Sequence, residues 1–334
     1  MTIARPQRQA DSRAPRPGAD ATRLAARLTD RDRWILRMLH EHRVLTTNQL
    51  AALAFPDRDI ARRRLALLHR YRVVDRFRPL RVRGSAPSHW VLAPAGIEVL
   101  AAEAGVAVRE LGYRQRRALD IAHSLHLAHT IGVNDWFTAL TTSADRHDAR
   151  VLAWWSEARC RRLWGDLARP DAFGRYTRFD ARLDFFLEYD LGTTSLARVA
   201  GKLLGYAELA RSTGVITPVL LWVPARSRET AARHALHHTV AALPDPGAVP
   251  VATAAADLLD PTPAQPSPAD RVWLPLDSAR TRRVPLHELA GAWPRRTPPP
   301  APSDTDSDSE HASTTLLNGH VMLTPPPPTP PTSR

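Results

Sequence analysis

Cysteine is almost missing from this chain. Cys160 is the only one among 334 residues, so no intrachain disulfide can form and a cytoplasmic setting is expected. Long apolar runs are missing too. No stretch approaches the roughly 18 residues that a membrane-crossing helix needs, so no transmembrane helix is expected. The first residues carry Arg and Pro without an apolar segment, so no signal peptide is expected. No basic amphipathic helix is long enough to recommend a membrane-surface protein. Lysine is the most telling scarcity. Of 46 Lys and Arg residues, Lys202 is the sole lysine.

What is present is arginine. Net charge is +12, the sequence pI is about 11.0, and apolar residues make up 43% of the chain. That apolar share suffices for real cores. The arginine excess favours two-pronged contacts with phosphate and argues for a polyanionic partner, nucleic acid before anionic membrane. Where charge alone matters, this chain uses arginine. A lone lysine therefore marks either a position that calls for a compact ammonium, such as one beside a phosphate or an attacking water, or a snorkelling surface side chain kept by chance.

The length suggests two domains with tails. Residues 1–22 read as a disordered basic arm able to touch phosphates non-specifically. Residues 23–110 read as the first domain. Thr29 is placed as a helix N-cap, followed by Asp30 and Asp32 in the first turn and an apolar stripe from Trp34 to Leu39. A short helix follows Thr46-Thr47, and a third runs from Asp59 to about Arg72. Val73–Arg78 and His89–Leu92 are strand candidates around a basic loop, and Pro94 opens a further helix. Three helices and then a hairpin with a basic tip is the order of a winged helix-turn-helix, whose third helix enters the major groove. The DNA-binding candidates are Arg58, Arg62, Arg63 and His69 on the third helix and Arg81 and Arg83 in the wing.

Residues 115–293 read as a second, α/β domain, so the expected class is α+β with two domains. A helix from about Ala118 to Thr142 carries His123, His126 and His129. Their spacing spreads them too widely for zinc, so they are expected to line an interdomain or DNA-facing surface. Residues 294–334 are Pro-rich and acidic and read as a disordered tail, with a short apolar island at Leu316–Leu323.

The chemistry concentrates between Arg169 and Tyr206. Phe185–Asp190 is an apolar strand candidate ending in two acids. Residues two apart on a strand share a face, so Glu188 and Asp190 are expected side by side. Asp171 follows a proline and precedes a hairpin expected through Gly174. Asp171, Glu188 and Asp190 together would hold Mg²⁺, a cation that prefers oxygen ligands. A helix starting near Ser195 has the stripe Leu196, Val199, Leu203 and Tyr206, and puts Lys202 at the edge of that stripe, within reach of the sheet. Glu157 is read as a helix cap.

The order helix, Pro170-Asp171, hairpin, strand ending Glu188-Tyr189-Asp190, helix and strand resembles the PD-(D/E)xK nuclease fold. The resemblance implies metal ligands at Asp171 and Glu188. Asp190 stands where that family expects lysine, and Lys202 on the following helix would take the water-orienting role. The body from about residue 28 to 290 resembles the replication-relaxation family of plasmids and integrative elements. The residues that carry this likeness are Leu28–Asp32, Val133-Asn134-Asp135, Arg169-Pro170-Asp171, and Phe186–Asp190 with Gly192-Thr193. It implies a DNA-binding protein of plasmid replication or relaxation. No His-x-His cluster beside a catalytic tyrosine is present, which sets relaxase chemistry aside. Two readings stand. One is metal-dependent DNA nicking with Asp171, Glu188, Asp190 and Lys202 as the catalytic set. The other is a non-catalytic regulator whose second domain serves for homodimer formation or partner binding.

Overall fold

The computed structural model describes residues 23–79, 86–114, 120–124, 126–259, 266–276, 282–293, 314–317 and 320–331. It is an α+β protein whose chain divides into two compact units, the first mostly residues 1–127 and the second mostly 128–310.

In the first unit, each opening helix begins where a side chain can accept from the unpaired amides of the first turn. Helix α1 (Asp30–His42) is capped by Thr29, whose hydroxyl accepts from the Asp32 amide while Asp32 accepts from the Thr29 amide. Strand β1 (Leu45–Thr46) leads into α2 (Thr47–Ala54), where Thr46 and Gln49 repeat the device. Asp57 caps α3 (Arg58–Arg70). Strands β2 (Val74–Phe77) and β3 (His89–Leu92) follow, then α4 (Pro94–Glu103) with proline in its first turn. The three strands form one antiparallel sheet in the order β1-β3-β2. Trp34, Ile35, Leu39, Leu65, Trp90 and Ile97 are buried in its core. The Trp90 indole nitrogen donates to Thr47 Oγ1 at 2.9 Å, so its one polar atom is satisfied.

The second unit is built on a six-stranded mixed sheet. Helix α5 (Leu127–Thr142) precedes β4 (Ala149–Ser156), α6 (Glu157–Trp164), β5 (Ala172–Arg178) and β6 (Ala181–Tyr189). Helix α7 (Leu196–Thr213), β7 (Val219–Val223), α8 (Arg226–Ala241), β8 (Val251–Ala255) and β9 (Leu274–Pro275) complete it. Strand order follows the chain. The β4-β5-β6 meander and the β8–β9 edge are antiparallel, and β6-β7-β8 are parallel. The parallel strands are joined through α7 and α8, as a parallel pair requires a crossover.

Strand β6 is apolar on both sides because both of its faces are covered. Phe185 meets Trp136 and Phe137 of α5, the latter stacked with ring centroids 6.2 Å apart. Phe186 points the other way and stacks on Tyr206 of α7 at 5.2 Å. Each such buried ring contributes about 1.5–3 kcal/mol through area removed from water.

Three expectations change. The hairpin turns at Phe179-Asp180 and not at Gly174, which lies inside β5. A Cβ at Gly174 would come within 2.4 Å of the Phe185 ring, so the glycine makes room for an aromatic and makes no turn. The helix that carries His129 starts at Leu127 and not at Ala118, after a separate short turn at Ile121–His123, so His123 and His126 lie outside it. Among the described residues of the expected tail, two short strands form. β10 (Thr314–Leu317) pairs with β11 (His320–Leu323) in an antiparallel hairpin that belongs to the first unit, with β11 against the Val108–Leu111 turn. Met322 and Leu323 are buried.

Candidate active site

Three chain segments meet at the end of β6. Glu188 is its penultimate residue and faces α7 beside Phe186. Asp171 lies just before β5, where its amide donates to Leu187 O at 3.1 Å and its Oδ2 accepts from the Tyr189 amide at 2.8 Å. Helix α7 supplies Lys202 and, one turn later, Tyr206. Ser195 caps this helix, and Gly214, with φ of 72°, ends it.

Lys202 Nζ donates to Asp171 Oδ1 at 3.3 Å and to Glu188 Oε2. The Tyr206 hydroxyl donates to Glu188 Oε1 at 2.5 Å. His129 Nε2, from α5, donates to Asp171 Oδ2 at 3.1 Å, and the His129 ring sits edge-on to Tyr189. The result is a continuous chain: His129, Asp171, Lys202, Glu188, Tyr206. The carboxylates are buried, at 12% and 7% side-chain exposure, while Lys202 keeps 39%. An ammonium with one side in water and the other on two buried anions is what the lone lysine buys in place of arginine's planar fork.

Burial raises the Glu188 carboxyl, and the neighbouring Asp171 charge adds to it. Lys202 and Tyr206 oppose them, and the group stands at about 7. Burial also works against an ionised Asp171, but the hydrogen bond from His129 and the Lys202 charge outweigh it and hold Asp171 below its ordinary value. His129 is disfavoured as a cation by burial, yet its bond to Asp171 lifts it above the usual imidazole range. Lys202 is lifted by both carboxylates against the cost of burial. Two adjacent carboxyls pushed in opposite directions is the pattern of a site that holds and moves protons.

Asp190 does not join this cluster. It lies one residue past β6, its amide still donating to Trp222 O of β7 at 2.9 Å, and its carboxylate is taken by α8 instead of by Lys202. Arg228 Nε of α8 donates to its Oδ2 at 2.7 Å, and the Gly192 amide donates to its Oδ1 at 2.9 Å. Arg228 also donates to Thr194 O, so the pair clamps the loop that leads into α7. Glu157 is the first residue of α6, and the capping is done by Ser156. His129 is the functional candidate that sequence reasoning missed. Its spacing with His123 and His126 pointed to a surface, and only its contact with Asp171 assigns it here.

Among the described residues, no group of three or more His, Cys, Asp or Glu side chains is arranged to hold a metal ion. Asp171 and Glu188 are the residues that would hold a cation such as Mg²⁺, which takes one or two carboxylates and completes its shell with water. Lys202 Nζ stands between their oxygens, where a small cation is drawn by both.

Two glycines of α7 give a paired test of this geometry. A Cβ at Gly205 would lie 2.4 Å from the backbone oxygen of Leu167, whereas one at Gly201 meets nothing. Gly201→Ala is expected to stabilise the protein by about 0.5–1 kcal/mol through helix propensity. Gly205→Ala is expected to destabilise it by about 1–3 kcal/mol, because the clash is with backbone that cannot rotate away. Thermal unfolding of both variants checks the signs.

In the first unit, Arg58, Arg62 and Arg63 are exposed on α3, Arg62 with Asp59 at 3.3 Å. His69 is half-buried. Its Nδ1 lies 3.1 Å from Val74 O, and its ring is edge-on to Trp90. Arg64, next after the exposed Arg63, turns inward to the buried Asp32 carboxylate, pairing α3 with α1. Arg81 and Arg83 lie outside the described residues.

The fold and cluster define an α+β protein that carries a lysine between two buried carboxylates at the end of a mixed-sheet strand. The chain belongs to the replication-relaxation family, whose model matches residues 36–220. No curated protein and no solved structure matches it. No helix among the described residues is long and apolar enough to cross a membrane.

Proposed function

We propose that this protein binds DNA of a plasmid or mobile element and serves its replication by metal-dependent nicking at the Asp171–Glu188–Lys202 cluster. The observation that carries the reading is the placement of the only lysine of the chain between those two buried acids. Family membership supports the replication context. Three helices and the β2–β3 hairpin support a winged helix-turn-helix in the first unit, with Arg58, Arg62 and Arg63 facing phosphate or base edges. The antiparallel β5–β6 pair, the crossover α7 and the parallel β7 support a PD-(D/E)xK-like second unit.

Asp171 and Glu188 would hold Mg²⁺, which when bound lowers the pKa of water and shields charge developing on phosphorus. Lys202, partly open to solvent, orients the attacking water. His129 and Tyr206 fix the two carboxylates from opposite ends, so neither rotates away as a phosphate enters. Water adds to phosphorus as the bond to the leaving oxygen breaks, and that oxygen ends with a proton from water.

A second reading has one observation in its favour. Lys202 already pairs with both acids, as a purely structural ion pair does. In that case the second unit serves dimerisation or partner binding in a regulator. Supercoiled plasmid nicking with Mg²⁺ and with Mn²⁺ decides between them. The catalytic reading expects nicking by the wild type and a loss of at least about 100-fold in Glu188→Ala and Lys202→Ala, on the scale of removing a group that acts in the transition state. Wild type inert with both metals leaves the regulator.

A further inference from the structure

We infer that Arg169 and Arg198 form, with Lys202, a phosphate-binding rim that holds a DNA strand along the outer side of α7. The inference rests on the second unit engaging DNA and not on its cutting DNA. Lys202 is the only member of the buried cluster with substantial exposure, at 39% of its side chain, so the cluster meets solvent through its ammonium. Arg198 lies four residues before Lys202 on α7, which places the two on one helix face a turn apart. Arg198 is exposed, and its side chain makes no hydrogen bond or ion pair among the described residues.

Arg169 comes from a different segment. The chain from Leu167 to Asp171 runs beside α7: a Cβ at Gly205 would touch Leu167 O at 2.4 Å, and Asp171 meets Lys202 at 3.3 Å. Arg169 lies midway along this run and is exposed. Its Nε donates to Gly165 O at 2.9 Å, which anchors the guanidinium at one end. Open space above Gly201 leaves room for a ligand to approach the helix between Arg198 and Lys202. Three cations on one exposed edge, two of them arginines suited to phosphate oxygens, fit successive phosphates of a polynucleotide strand.

Arg211 of the same helix serves as the internal comparison. It is exposed, but its guanidinium is already paired with Glu208. The experiment uses the full chain in metal-free buffer containing EDTA, so binding is read without cleavage. Affinity for fluorescent duplex and single-stranded oligonucleotides of one sequence is followed against salt concentration. Arg169→Ala/Arg198→Ala is expected to reduce the log–log salt slope by about 1.8 on duplex or about 1.4 on single strands, two released phosphate contacts in either case. Arg211→Ala is expected to leave the slope unchanged. Which probe loses slope tells which form of DNA the rim holds. An unchanged slope on both probes overturns the rim. So does an equal fall in Arg211→Ala, which would mean that overall charge acts without a site. A wild type that never nicks plasmid, but whose double variant loses slope, refutes the catalytic reading and keeps the rim.

Discussion

Lys202→Met is expected to lower the unfolding free energy by about 3 kcal/mol at about pH 8, because it strands two buried carboxylates without their cation. The figure sits at the low end of the range for broken buried pairs, since the ammonium is 39% exposed and water already screens it. The loss is expected to shrink on acidification. Glu188 has a folded value of about 7 against an ordinary 4.5, so its protonation favours the folded state. The stability this contributes is complete below about 4.5 and disappears as pH rises through about 7. Asp171 runs the other way. Its folded value is depressed below 3.8, so its contribution holds across that window and is lost only in stronger acid. Urea unfolding of Lys202→Met, Glu188→Gln and wild type between about pH 5 and 8 separates the two carboxyls. The Lys202→Met deficit should be smaller at the acid end. Relative to Glu188→Gln, wild type should gain stability as pH falls. A deficit independent of pH would remove Glu188 as the partner that matters. Lys202→Arg keeps the charge and should cost less stability, yet it should still lose nicking if a compact ammonium is what the site needs.

Arg283→Ala is expected to cost about 3–5 kcal/mol, the largest effect outside the candidate site. Glu229 on α8 is 2% exposed, and Arg283 meets both its oxygens, at 3.0 and 2.6 Å. Arg283 also donates to Val272 O at 2.6 Å, and Thr253 of β8 donates to Glu229 Oε1 at 2.6 Å. Among the described residues, removing the guanidinium leaves a buried carboxylate hydrogen-bonded by a hydroxyl, with the Arg233 charge nearby. Arg283→Ala/Glu229→Gln should recover a large part of the loss, because a neutral amide is cheaper to bury than an orphaned charge. A double-mutant cycle by urea unfolding measures the coupling. A single-variant cost below about 1 kcal/mol would mean that the pair behaves as an exposed one.

Much of this architecture was legible in local pattern. Thr29, Thr46, Asp57 and Ser195 each start a helix because a short oxygen-bearing side chain can accept from the first-turn amides. The double-sided apolar run of β6 reads as a strand covered on both faces. The approach of Asp171, Glu188 and Lys202 followed from composition and order, since a lone lysine in an arginine-rich chain, one crossover helix after a Glu-bearing strand, has few places to go. Gly174 misled because glycine makes turns and also makes room, and only the ring of Phe185 across the strand pair decides between them.

By itself, the sequence determined the elements, their order and the chemistry within reach of one strand and its helix, because caps, alternation and stripes act over a few residues. Tertiary structure alone decided which distant partner each charge took: Arg228 for Asp190, His129 for Asp171, Arg64 for Asp32 and Arg283 for Glu229. Those pairings join residues 32 to 54 positions apart, and a buried charge accepts whichever counter-charge the packing brings to it.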